Sequence, residues 1–308
     1  LFYRSKKDPA ICKIKFFIYG WVIRCLVLIF FDVSVNCDGS DLPGNPFAAL
    51  LHGEAPPTGA VTGDTTGAIL GAFQDHISKT LLGRDIDDFA ALTQDVQHCI
   101  VKNTSAKAAA DMALWDLYGK KYGIPVYKMW GASRSKLITD ITISVNAPEE
   151  MAKDAQNAVQ RGYDTLKVKV GVDPSLDSMR LEAIRKAVGP HIRIRIDANQ
   201  AWKPKQAVML LQQMQDKGLD IELVEQPVPA HDIDGLKYVT DHSYIPVLAD
   251  ESVFSVEDAL QILQRHAAAL INIKLMKCGG LTNALKIAAL AEAYGVECMI
   301  GCMLEAKI

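Results

Sequence analysis

Thr165-Leu-Lys-Val-Lys-Val-Gly171 is a short apolar run interrupted by two lysines. Strand side chains alternate between faces, so Lys167 and Lys169 point the same way. Two like charges on one face of an otherwise apolar strand are costly, and burial of that kind pushes lysine pKa values down. A strand that carries such a pair reads as one wall of an active site, with the rest of the site supplied by the chain that follows.

Outward from this strand, a regular pattern appears after Gly131. Short apolar segments near 138–145, 165–170, 193–198, 222–225, 246–249, 270–275 and 297–302 read as strands. Amphipathic segments at 149–161, 176–188, 205–217, 256–265 and 283–294 read as helices between them. Alternating β and α at a repeat of about 25–30 residues means a parallel sheet, and the number of units favours an α/β barrel over an open sheet. No G-x-G-x-x-G follows any of these strands, which counts against dinucleotide binding.

Barrel enzymes place their chemistry at the carboxyl ends of strands. In order, those ends carry Lys167 and Lys169, then Asp197 in Arg195-Ile-Asp-Ala-Asn-Gln200, Glu225 in Val224-Glu-Gln-Pro227, Asp250 in Leu248-Ala-Asp-Glu-Ser252, and Lys274 in Ile271-Asn-Ile-Lys-Leu-Met-Lys-Cys-Gly-Gly280. Three carboxylates from adjacent strands would repel one another unless a hard cation joined them, and oxygen-only ligation suits Mg2+ over zinc. In an eight-strand barrel the second and sixth strands lie opposite each other. A planar substrate held on the metal would then have Lys169 on one face and Lys274 on the other. That suits removal of a proton from one face and return to the other, next to a carboxylate and through an enediolate, with each lysine shifted toward neutrality to act as a base. Lys277 reads as solvated or helix-facing, with no role.

Upstream of the barrel the chain reads differently. Helical spacing runs over 65–82, 86–101 and from Thr104 or Ser105 to about 122, where Gly123 and Pro125 stop it. Residues 26–36 read as a strand leading to a hairpin at Cys37-Asp-Gly-Ser40, and 41–46 as turn-rich. Within 16–31 the run is apolar apart from Gly20 and Arg24, and a signal-like segment is the alternative reading. It is short for a bilayer span and contains a charge, which argues against a membrane protein. The first 25 residues give no further reading.

The 308 residues are 49% apolar and 22% charged with a net charge of −3, as suits a soluble enzyme, and no basic stripe points to nucleic acid. Seven scattered cysteines without a C-x-x-C pair read as buried thiols of a reduced, cytoplasmic protein. A homo-oligomer stays open.

With these residues in hand, the sequence resembles the enolase superfamily, within its muconate-lactonising subgroup, and is most similar to the dipeptide epimerases acting on L-Ala-D/L-Glu. The similar region runs from about 53 to 308. It rests on Gly53-Glu-Ala-Pro-Pro-Thr58 with Val61-Thr-Gly-Asp64, Lys167-x-Lys169, Asp197-Ala-Asn-Gln200, Val224-Glu-Gln-Pro227, Ala249-Asp-Glu-Ser252 and Asn272-Ile-Lys-Leu-Met-Lys277. The resemblance implies an enolase-type (β/α) barrel over 134–308 and an N-terminal α+β capping domain over 1–133, of which 1–50 is divergent. It implies Asp197, Glu225 and Asp250 as Mg2+ ligands, and Lys169 and Lys274 as the acid/base pair. Lys167 and Thr142 become substrate-binding residues, the substrate being a dipeptide or an N-acyl amino acid. Dipeptide epimerases hold the substrate ammonium group with an Asp-x-Asp on an eighth strand. The sequence stops at Ile308, just after the seventh, so the barrel is expected to be incomplete at its carboxyl end. N-acylamino-acid racemase, o-succinylbenzoate synthase, cycloisomerase and a non-catalytic truncated fragment remain as alternatives.

Overall fold

The strand that carries Lys167 and Lys169 lies near the start of a seven-stranded sheet. The structure is a computed structural model. It describes residues 16–23, 26–34, 48–131, 137–303 and 305, with side chains from 53 onward. The chain divides into two compact units: residues 1–133 with 274–285 and 302–308, and residues 134–273 with 286–301.

In the first unit, β1 (Phe16–Ile23), β2 (Leu26–Ser34) and β3 (Ala48–Glu54) form an antiparallel sheet in that order. Phe16 lies opposite Val33, and Leu28 lies opposite Glu54. The strand expected over 26–36 is therefore present. The apolar run before it, for which the sequence offered only a signal-like segment, is a second strand. The expected hairpin at 37–40 lies outside the described residues. Among the described residues no helix is long and apolar enough to cross a membrane.

The helices of this unit follow the expected order. They are α1 (Thr66–Ala72), a π-turn over 73–77, α2 (Ser78–Leu81), a 3₁₀ turn over 86–88, α3 (Phe89–His98), α4 (Thr104–Tyr122) and α5 (Val126–Met129). The start of α4 is arranged otherwise than expected. Its cap is Asn103, held left-handed at φ 51° with no capping side-chain bond. The buried carboxylate of Asp64 does that work instead, accepting the Ser105 amide at 3.0 Å, where a negative charge also suits the helix dipole. Gly123 closes the helix in the left-handed conformation, as its position predicts. The core joins Ile69, Phe73, Ile77 and Leu92 to the alanine-rich stripe of α4, where small side chains let neighbours approach closely.

The second unit is built on β4 (Ile141–Ile143), β5 (Thr165–Lys169), β6 (Arg193–Asp197), β7 (Ile221–Glu225), β8 (Val247–Ala249), β9 (Leu270–Ile273) and β10 (Glu297–Ile300). The seven strands lie in chain order in one sheet, every neighbouring pair parallel. Sequential parallel pairing with helical crossovers is the enolase-type (β/α) barrel arrangement. Five of the crossovers are α6 (Pro148–Gln160), α7 (Pro174–Val188), α8 (Pro204–Asp216), α9 (Ile233–His242) and α10 (Val256–Arg265). After β9 come a single turn, α11 (Leu275–Cys278), and α12 (Leu281–Ala293). Leu166 and Val168 of β5 and Ile194 and Ile196 of β6 are wholly buried, while Lys167, Lys169, Arg193 and Arg195 alternate with them on the opposite face.

Candidate active site at the strand ends

The register of the parallel ladder fixes the site. Thr142 pairs with Lys167, Lys169 with Asp197, and Asp197 with Glu225. Lys169, Asp197 and Glu225 therefore form one row across three neighbouring strands. Asp250 directly follows the last residue of β8, and all three carboxyl groups are essentially sealed from solvent, at 0%, 1% and 0% exposure for Asp197, Glu225 and Asp250.

The lysines hold this charge together. Lys167 Nζ lies 2.9 Å from Asp197 Oδ2 and 2.7 Å from Glu225 Oε2, and Lys169 Nζ donates to the same Asp197 oxygen at 2.7 Å. This corrects the expectation of a lowered pKa at Lys167. Burial does oppose the charged form of Lys167, but the carboxylates of Glu225 and Asp197 outweigh it, and its pKa is raised. The sequence showed two cations on one face; it did not show two anions within reach of one of them.

The carboxyl groups respond in opposite directions. Burial raises Asp197, yet Lys167 and Lys169 together carry it below the ordinary range. Glu225 is pushed up to about 7, first by burial and then by the charge of Asp197, with Asp250 adding to it against the pull of Lys167. Among the described residues no three carboxylate, imidazole or thiolate groups gather closely enough to enclose an ion; the Lys167 ammonium bridges two of the acids.

Several neighbours were visible in the quoted motifs without a role. Asn199 receives a bond from Lys169 Nζ at 2.6 Å, gives its own amide hydrogen to Glu251 Oε1 at 3.1 Å, and is tied by its backbone to Asp197 Oδ1 at 2.9 Å. Asn272 donates to Glu225 Oε1 at 3.0 Å. Gln226, fully buried, accepts the amides of Asp250 and Ser252 and so joins the ends of β7 and β8. Asn199, Gln200 and Gln226 all hold positive φ, at 41°, 69° and 36°. Such strain clusters at functional sites. The signal available in sequence was the amide residue one or two places after Asp197 and Glu225, Asn199 and Gln226.

Lys274 is the residue after β9, caps the single turn α11, and is 8% exposed. Lys277, read from sequence as solvated or helix-facing, is wholly buried, which excludes the solvated setting. Of the four described cysteines only Cys278 is buried; Cys99 and Cys298 are half-buried and Cys302 is exposed, against the expectation of buried thiols throughout.

The chain matches two family models. Residues 150–308 match the enolase C-terminal domain-like family, and residues 52–131 match the mandelate racemase/muconate lactonizing enzyme N-terminal domain. The chain belongs to the mandelate racemase/muconate-lactonising branch of the enolase superfamily. Within that superfamily it is 58% identical to an L-Ala-D/L-Glu epimerase of Clostridium acetobutylicum, over 83% of this chain and 72% of that one. It is similar to the substrate-liganded L-Ala-D/L-Glu epimerase of Bacillus subtilis, with a TM-score of 0.86 at 46% identity, covering 91% of this chain and 75% of the other. A dipeptide epimerase of Enterococcus faecalis V583, complexed with Mg and the dipeptide L-Leu-L-Tyr, superposes with a TM-score of 0.83 at 37% identity over 96% of this chain and 80% of that one.

Proposed function

We propose that this member of the superfamily is a Mg2+-dependent epimerase of dipeptides of the L-Ala-D/L-Glu type, inverting the carbon next to the terminal carboxylate. The observation that carries the reading is the row of buried acids at successive strand ends with lysines along its edge. That donor set fits the cation. It is all oxygen, and the charges of Asp197 and Asp250 raise the proton affinity of Glu225. Asp197, Glu225 and Asp250 are the residues that would hold Mg2+. When bound, the ion supplies positive charge against the substrate carboxylate and lowers the cost of the negative charge that develops as the adjacent proton leaves.

The chain's own groups do the rest. Lys169, fixed by Asp197 and Asn199, removes or returns the proton on one face of the substrate. Lys274 does so on the other face. Lys167 supplies positive charge toward the substrate carboxylate, and Thr142, one strand away in register and exposed, is a substrate contact. We place the reaction in the cytoplasm, where free thiols such as the four described cysteines persist.

A second reading, racemisation of N-acyl amino acids, is favoured by 35% identity to an N-succinyl-L-Arg/Lys racemase of Bacillus cereus over 83% of this chain and 70% of that one. Incubation with L-Ala-L-Glu and with N-succinyl-L-arginine, with Mg2+ and with EDTA, separates the two. The proposal expects Mg2+-dependent formation of L-Ala-D-Glu. Turnover of the succinylated amino acid alone would overturn it.

A further inference from the structure

Lys274 stands at the head of a segment that has its own anchorage. Its carbonyl accepts the amides of Lys277 at 3.0 Å and Cys278 at 3.1 Å, so α11 is a single turn wound on Lys274 itself. One isolated turn has no stability of its own, because fixing its backbone costs more than its few bonds return. What holds it lies at its other end, on α3 and α4.

Gln97 of α3 donates from Nε2 to the Gly279 carbonyl at 2.7 Å, and its Oε1 accepts from Asn283 at 3.1 Å. Asp111 of α4, wholly buried, accepts the Thr282 amide at 3.0 Å, and Trp115 one turn further donates to the Thr282 hydroxyl at 3.0 Å. Gly279 and Gly280 adopt φ of 83° and 114°, and a Cβ on either would come within 2.6 Å of the Gln97 or the Asp111 side chain. The backbone here is drawn so close to the two helices that only glycine fits.

We propose that Gln97 and Asp111 are positioning residues for Lys274: they latch the turn behind it to α3 and α4, so the base on one face of the substrate takes its position from the N-terminal helices. The inference rests on the two-base reading given above. A misplacement of about 1 Å can cost about a hundredfold in rate, so loosening the latch acts on one base and leaves Lys169, held by Asp197 and Asn199, in place.

The test compares α-proton exchange with solvent deuterium starting separately from L-Ala-L-Glu and L-Ala-D-Glu, with Mg2+ present. Lys274→Ala identifies the epimer whose proton faces Lys274. Gln97→Ala changes a half-buried residue and keeps the backbone carbonyl that Lys107 uses; Asp111→Ala removes the acceptor of the Thr282 amide. Both variants are expected to lose about tenfold or more of the exchange from the Lys274-dependent epimer and to stay within about twofold for the other. Amide hydrogen exchange over 277–282 is expected to quicken. Equal loss from both epimers, unchanged exchange, or unchanged amide protection overturns the positioning role alone. Failure of the unsubstituted chain to exchange either epimer overturns the functional reading and this inference with it.

Discussion

Lys167 holds its charge between two buried carboxylates, so its removal leaves Glu225 without that counter-ion and Asp197 with Lys169 alone. Breaking a buried pair in this way costs about 3–5 kcal/mol. Lys167→Met is expected to destabilise the metal-free protein by that order in urea denaturation, and added Mg2+ to restore part of the loss. Metal-free stability equal to that of the unsubstituted chain would show that the ion pairs are not formed. Glu225 gives the pH dependence. Its folded pKa is raised from 4.5 to about 7, so the proton is favoured by the folded metal-free chain. The resulting contribution to stability is fully present below about 4.5 and is lost as pH rises through about 7. If Glu225 holds Mg2+ as proposed, binding displaces a proton below that pKa and the affinity rises with pH. Calorimetric titration at about pH 6 and about pH 8 is expected to show tighter binding at the higher pH, with proton release at the lower. At this scale the sequence showed which residues are charged and which share a strand end. It could not show that Lys167 bridges two acids, because that depends on the register between β5, β6 and β7.

At the scale of elements, the barrel strands were legible because short, largely apolar segments alternate with amphipathic helical ones at a regular repeat. The helix α10 was legible from its amphipathic spacing. At its start Ser255 accepts the Asp258 amide at 3.0 Å, and Asp258 accepts the amide of Phe254, the residue before the cap, at 2.9 Å. Ser255→Ala is expected to cost about 1 kcal/mol in thermal or chemical denaturation; no change would mean the cap contributes nothing. The turn after the lysine strand is more demanding. Gly171 holds φ of 94°, and a Cβ there would lie 2.5 Å from that of Ala201. Gly171→Ala is therefore expected to destabilise by about 1–3 kcal/mol, and a neutral effect would contradict the observed turn. Two elements were hidden. Helix α9 opens with Asp232, Asp234 and Gly235, residues that read as a turn, although Asp232 is its cap and accepts the Gly235 amide at 2.8 Å. Strand β1 was hidden because a short apolar run carries no period that separates strand from helix.

For the whole molecule, the sequence divided the chain where its pattern changes, near residue 133, and the barrel followed from the repeat alone. What a linear reading could not supply is that residues 274–285 group with the N-terminal residues. That grouping rests on bonds between residues about 170 or more apart in sequence, such as those of Asp111 with Thr282 and of Gln97 with Gly279. The proposed function has Lys169 and Lys274 act on opposite faces of one metal-held carbon acid. Deuterium incorporation at the α-carbon, followed by NMR from each epimer of L-Ala-Glu in Mg2+-containing heavy water, tests it most directly. The account predicts that Lys169→Ala silences exchange from one epimer and Lys274→Ala from the other, with both exchanges abolished by EDTA. Full exchange from both epimers in either single variant would contradict it.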